Sequence, residues 1–156
     1  MATESQEHVE RIARLAGERG VDVAAAESLT SGLLSSRLGA GPDASAWFRG
    51  AVVAYQEPVK FEVLGVPEGR VVTAECAEQM ARGVADLLGA SVAVSVTGVG
   101  GPDPSEGEPP GTVYVGVLVD DDLTVHRLDL AGNDPDRILH VTADESLRIL
   151  AEALAQ

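Results

Sequence analysis

Residues 21–32 read VDVAAAESLTSG, and the reading of this stretch decides the fold. Val21 to Ala26 is a short, mostly apolar run that follows a glycine, which is the pattern of a buried strand. Glu27-Ser28-Leu29-Thr30 then makes a strand-to-helix turn, and the spacing of apolar residues predicts a helix over 31–38. A buried strand feeding a helix through a tight turn belongs to an α/β architecture.

The flanking sequence extends the same alternation. Upstream, Thr3-x-x-Gln6 has the form of a capping box, and Val9, Ile12, Ala13 and Leu15-Ala16 recur at helical spacing, so a helix is predicted over 4–19 and stopped by Gly20. Downstream, 50–55 reads as a second buried strand, and Pro58 suits the first turn of a short helix carrying Lys60. Thr73 can cap a helix over 74–88 that Gly89 ends, and 91–96 is again rich in β-formers. Residues 112–119 and 123–130 form a predicted antiparallel hairpin across Asp120-Asp121-Asp122, and Asp134-Pro135 opens a last helix running nearly to Gln156. The order αβα, βα, αβ, ββα predicts one α/β domain over 1–156, its sheet mixed and covered by helices on both faces.

Composition narrows the partners. A net charge of −14 argues against nucleic acid, whose nonspecific binding draws on clustered Lys and Arg, and against anionic membrane surfaces. Scattered carboxylates together with scarce lysine suggest a high-salt interior, where screening relieves self-repulsion. Cys76 is the one cysteine, so no intrachain disulfide can form, and it reads as a small buried hydrophobe. Residues 1–10 are polar and acidic with no signal-like apolar run, and no apolar stretch approaches membrane-spanning length, so a cytoplasmic location is expected. With five aromatic residues in all, Val, Leu and Ala must fill the core.

Lys60 is the single lysine beside ten arginines. An exposed helix face is the ordinary fate of a lysine, but a lysine, unlike an arginine, can lose its proton and serve as a general base. Ser28 stands at the carboxyl end of the predicted strand, where open α/β sheets present ligands; it could equally cap the following helix, as could Thr30 and Ser31. His8, His126 and His140 fall in a helix, a strand and a helix, with no local motif that pairs any of them with Ser28. A lysine with a lowered pKa can take that role, which makes Lys60 the candidate partner of Ser28. The loop 97–111 holds five glycines and four prolines, and its start, Thr97-Gly-Val-Gly-Gly-Pro102, could direct backbone N–H groups at an anion. It has neither the Walker lysine nor a dinucleotide fingerprint, and no Cys/His cluster has metal-ligand spacing, so neither a cofactor nor a metal is expected.

Taken together, AESLTSG at 26–32, SAWFRG at 45–50, Tyr55 with Lys60, TGVGGP at 97–102 and PGTV at 110–113 strongly resemble the CinA carboxyl-terminal domain family, in the same order over almost the whole chain. That family includes bacterial nicotinamide-nucleotide amidases. The resemblance implies a three-layer α/β/α fold, assembly as a homo-oligomer, with a dimer favoured, and a small nucleotide substrate whose carboxamide is hydrolysed. It assigns Ser28 as nucleophile and Lys60 as its base, with Tyr55 beside them and Ser105 as a proton relay. Thr30, Ser31, Gly32, Gly98, Gly100, Gly101 and Arg137 would then contact substrate. The chain departs from the family pattern at Ser31, where a second glycine is usual, and at Gln56-Glu57-Pro58-Val59, which lacks an asparagine. It departs again at Pro104-Ser105 and before Arg137, whose register is displaced. Two readings therefore stand: an amidohydrolase, or a nucleotide-binding or interaction module that keeps the fold with altered catalysis.

Overall fold

The computed structural model describes residues 2–156. The first helix, α1 (Glu4–Arg19), begins with the capping box its sequence predicts: Gln6 N–H donates to Thr3 Oγ1 at 3.1 Å and Thr3 N–H donates to Gln6 Oε1 at 2.7 Å. It ends where Gly20 turns left-handed, at φ 65°. The strand β1 (Val23–Glu27) follows, buried along its whole length.

The chain then forms α2 (Leu33–Gly39), α3 (Ala44–Trp47), β2 (Phe48–Val53), α4 (Glu57–Glu62), α5 (Ala74–Leu88), β3 (Val92–Gly98), β4 (Thr112–Val119), β5 (Asp122–Asp129) and α6 (Pro135–Leu154). Most boundaries fall within two residues of expectation. The short helix α3 has no counterpart in the sequence reading, because four residues are too few to show a period. The second helix starts at Leu33 and not at 31, because Ser31 and Gly32 take left-handed backbone angles, φ 41° and 104°.

The five strands form one mixed sheet in the order β2-β1-β3-β4-β5. Strands β2, β1 and β3 run parallel, whereas β4 and β5 return antiparallel as a hairpin. The fold is therefore the expected α/β domain, with helices on both faces of a mixed sheet.

Alternation along the strands divides the core in two. One face presents Val23, Ala25, Val92, Val94, Val96, Val113, Val115 and Val117 to α1, α2, α3 and α6, where Ile12, Leu34, Leu38, Trp47, Leu147 and Leu150 meet them. The other presents Ala24, Ala26, Ala93 and Leu118 to α4 and α5, with Met80, Val84 and Leu64 among the packed residues. A fully buried side chain of this size contributes about 1.5–3 kcal/mol relative to exposure. Small residues on the second face let α5 lie close. Ser95 Oγ donates to the Ala77 carbonyl at 2.6 Å, and a Cβ added to Gly116 would sit 2.6 Å from Ser95 Oγ and 2.7 Å from the Ala77 oxygen.

The connection from β1 to β2 crosses the first face and that from β2 to β3 crosses the second. Their strands leave β1 in opposite directions, so the sheet has its topological switch point between β1 and β3. A crevice forms outside the carboxyl ends of the strands at such a point. Ser28 follows β1 there, and the glycine loop follows β3.

Candidate active site

Lys60 is buried, 2% exposed, and is among the largest fully enclosed side chains of the protein. The solvated-surface reading of this lysine is thereby overturned. Its position follows from α4: Pro58 lies in the first turn, and the helix carries the lysine inward next to Val59 and Phe61, which pack on the α5-side core. Nζ donates to the Ala54 carbonyl at 2.8 Å and to the Tyr55 carbonyl at 3.2 Å. Burial lowers the Lys60 pKa from its ordinary value, because the ammonium is deprived of water; Cys76, Glu57 and Glu106 oppose the shift.

Ser28 is also buried, 7% exposed, in the turn that begins at the end of β1. The two residues are linked through the sheet. Ala54 N–H donates to the Glu27 carbonyl at 2.7 Å, so the segment whose carbonyls hold Lys60 is bonded to the residue immediately before Ser28. Among the described residues no hydrogen bond joins Ser28 Oγ directly to Lys60 Nζ.

Glu27 was not singled out from the sequence as a site residue. It is fully buried, and its carboxylate accepts from the N–H groups of Gly32 (3.2 Å), Leu34 (3.0 Å) and Ser35 (2.9 Å) and from the Ser35 hydroxyl. These are the amides that a helix start would have turned towards a ligand, so the amino end of α2 is already occupied. The N–H groups of Leu29 and Thr30, and those of Gly100 and Gly101, have no protein acceptor among the described residues. The two turns are neighbours, since a Cβ on Gly100 would lie 3.5 Å from Leu29 Cβ. The Thr30 hydroxyl is buried with no hydrogen-bond partner among the described residues.

The other expected residues take different places. Tyr55 offers Lys60 its carbonyl, while its residue is 66% exposed. Ser31 is exposed in the turn. Gly98 has a structural requirement, because a Cβ there would meet the Thr112 oxygen at 2.4 Å; at Gly101, with φ 80°, it would meet the Asn133 oxygen at 2.8 Å. Arg137 is exposed and donates to the Ala131 carbonyl at 2.7 Å, on the 131–133 segment that touches Gly101.

Ser105 is exposed, and no hydrogen bond among the described residues joins its hydroxyl to Ser28 or Lys60. It pairs with Glu108 across a two-residue turn in which Glu106 and Gly107 both have positive φ, 52° and 78°, as a type I′ hairpin requires. The inward residue of that hairpin is Glu106. Its carboxylate accepts from Val71 and Val72 N–H at 2.9–3.1 Å, and its carbonyl accepts from Arg70 at 2.7 Å, so the glycine loop is pinned to the segment leading into α5. Thr97 Oγ1 donates to the Val71 carbonyl at 2.8 Å and adds a second tie. Beside it, burial pushes the Cys76 thiol up to about 11, which keeps it an inert core residue as expected.

Two cavities, of about 700 and 260 Å³, lie elsewhere: one between the start of α1 and the end of α2, the other against β4, β5 and α6. Neither is lined by Ser28, Lys60 or the glycine loop. Among the described residues no group of His, Cys, Asp and Glu could hold a metal ion, and no helix is long and apolar enough to cross a membrane.

Fold and site together define an α/β/α domain with a serine turn and a desolvated lysine at the switch point of its sheet. The sequence model of the CinA C-terminal domain matches residues 5–154, and the chain belongs to that family. A putative competence-damage inducible protein of Geobacillus kaustophilus is 47% identical over 145 residues, which cover 88% of this chain and 34% of that protein. The Bacillus subtilis relative of the same description is 41% identical over 121 residues, 74% of this chain and 29% of that protein. The chain thus spans about a third of the length of the curated relatives it matches. Among solved structures, a competence-damaged protein (CinA) superfamily protein of Klebsiella pneumoniae superposes with a TM-score of 0.91 at 29% identity, covering 97% of this chain and 98% of that one. A competence/damage inducible protein of Agrobacterium tumefaciens gives 0.91 at 28% identity, covering 100% and 98%.

Proposed function

We propose that the chain is an amidohydrolase that converts the carboxamide of nicotinamide mononucleotide, or of a closely related small amide, to the acid and ammonia. The observation that carries this reading is the pair of carbonyls on Lys60. An ammonium has three N–H donors and a neutral amine has two. Ala54 and Tyr55 supply two acceptors in a buried site, which suits the neutral amine and leaves its lone pair to accept a proton. Burial lowers the pKa in the same direction.

In the proposed sequence Lys60 Nζ takes the Ser28 proton as Ser28 Oγ bonds to the amide carbon. The N–H groups of Leu29, Thr30, Gly100 and Gly101, which have no protein acceptor among the described residues, are the donors proposed to stabilise the developing oxyanion. The tetrahedral species collapses with loss of the C–N bond, Lys60 returns the proton to the departing nitrogen, and ammonia leaves. Water, deprotonated by the same amine, then attacks the acyl-serine and releases the carboxylic acid. No cofactor or metal enters this sequence. The substrate phosphate would meet the 131–137 segment, where Arg137 keeps further N–H donors beyond the one given to Ala131. A homo-oligomer, with a dimer favoured, is part of the same proposal.

The test is ammonia release from nicotinamide mononucleotide, followed for the wild-type chain and for Ser28→Ala. Release by the wild type and a loss of at least about 10³-fold in the variant are expected. Equal rates in the two, or none in the wild type, favour a binding module with altered catalysis.

A further inference from the structure

We propose that Glu27 is a positioning residue that couples the Ser28 turn to the Lys60 anchor, closing the turn with its carboxylate while its carbonyl holds the Ala54 segment. The inference rests on Ser28 and Lys60 being the reacting pair. Its distinguishing feature is that one residue faces both halves of the site. Lys60 Nζ donates to Ala54 O, Ala54 N–H donates to Glu27 O, and Glu27 is joined covalently to Ser28. On the other side the Glu27 carboxylate gathers three amides and a hydroxyl from residues 32–35.

A simple helix cap does not require this arrangement. Helix N-termini are ordinarily capped by a short polar side chain at the N-cap itself. Here the N-cap is Gly32, which has no side chain, and the cap comes from five residues earlier, inside a buried strand. The carboxylate makes no ion pair among the described residues, although it is fully buried. Its charge is compensated by the four converging donors, an arrangement that also fixes their directions. Ser31, held at φ 41°, is a non-glycine residue in the left-handed region, and the clasp closes the backbone around it. A shift of Glu27 would therefore move the nucleophile turn and the lysine anchor relative to each other.

Glutamine in place of Glu27 keeps the size but turns an NH₂ group towards donors that need an acceptor. Glu27→Gln and the milder Ser35→Ala, which deletes the hydroxyl of the clasp, are compared with wild type in three measurements. These are amide-exchange protection, kcat and KM for ammonia release per folded molecule, and labelling of Ser28 by phenylmethanesulfonyl fluoride located by mass spectrometry. In Glu27→Gln, protection of the Gly32, Leu34 and Ser35 amides is expected to fall at least about tenfold, with that of α6 unchanged. Both kcat and the Ser28 labelling rate should fall about 100-fold, the scale of an ångström-level misplacement, with KM within about twofold. Ser35→Ala should lower kcat about fivefold, the scale of one hydrogen bond. Wild-type kcat per folded molecule in Glu27→Gln, retained amide protection, or a change confined to KM would overturn the proposal. If Glu27→Gln does not fold, Ser35→Ala decides on the same criteria. A wild-type chain that neither labels at Ser28 nor releases ammonia sinks the amidase reading instead, and unchanged amide protection in the variants then overturns the clasp as well.

Discussion

Val115 and Gly116 are consecutive residues on β4, yet they face two different cores. Val115 points into a layer where valines of the sheet meet Leu, Ile and Trp from α1, α2, α3 and α6. Gly116 faces α5, with no room for even a methyl group between Ser95 Oγ and the Ala77 carbonyl. The first face is packed mainly by large apolar side chains, with the Glu27 carboxylate at its carboxyl end closing onto the start of α2. On its sheet side the second is mostly Ala, Ser, Thr and Gly, with Leu118, and at its carboxyl end this core encloses Lys60 and Cys76. Small residues let α5 lie close to the sheet, and burial in this same core lowers the Lys60 pKa.

Lys60→Arg strikes this comparison hardest. Arginine cannot give up its proton, and its larger head does not fit the place between two carbonyls, so ammonia release is expected to drop at least about 10³-fold. An active Lys60→Arg enzyme would remove the lysine from the chemistry. Next in size are paired substitutions on the two faces, measured by denaturant unfolding. Val115→Ala should cost about 2 kcal/mol by leaving a cavity, and Gly116→Ala about 1–3 kcal/mol by overpacking against α5. Only the second should also depress activity per folded molecule, and equal activity losses would erase the distinction between the faces.

A smaller effect is expected from pH. Since the Lys60 pKa is lowered on folding, kcat/KM should rise with pH to a plateau with its midpoint below 10.5. The folded chain binds fewer protons than the unfolded one between that midpoint and 10.5, so Lys60 makes stability rise with pH across the window. Cys76, raised to about 11 from 9.0, acts in the opposite sense between those values, so the Lys60 contribution is read as the difference between wild type and Lys60→Met melts in a Cys76→Ala background. A midpoint at or above 10.5 contradicts the desolvated lysine. The smallest and most general effect is that of salt. With a net charge of −14, the melting temperature should increase between about 0.1 and 2 M KCl, as the Debye length shrinks from about 10 Å to under 3 Å. Equal melts at both concentrations would mean that the acidity carries no salt dependence.

Legibility in the sequence followed the range of the interactions involved. The capping box at Thr3, the Thr73 and Gly89 limits of α5, and the β4–β5 hairpin could be read because their causes lie within a few residues. Lys60 and Ser28 stood out as candidates, one by rarity and one by its place after a strand. Glu27 and Glu106 did not. A glutamate next to a candidate serine looks like any other among 25 acidic residues, and its meaning depends on amides it reaches only after the turn has folded. Glu106 is similarly explained by Val71 and Val72, more than thirty residues away. Ser105 carried the more conspicuous chemistry, but the type I′ geometry of the hairpin leaves it exposed and gives Glu106 the inward place.

Periodicity, caps and turn residues by themselves determined that this chain forms an α/β domain of the observed element order, because those signals act through neighbouring residues and need no distant partner. The sequence also contained one lysine and one strand-end serine as candidates for chemistry. Only the tertiary structure decided that Lys60 is desolvated, that two main-chain carbonyls accept hydrogen bonds from its Nζ, and that one of them, Ala54, is bonded to Glu27 next to Ser28. Those facts depend on the strand order β2-β1-β3 and on the packing of α4 and α5 against the sheet, which bring together residues far apart in the chain.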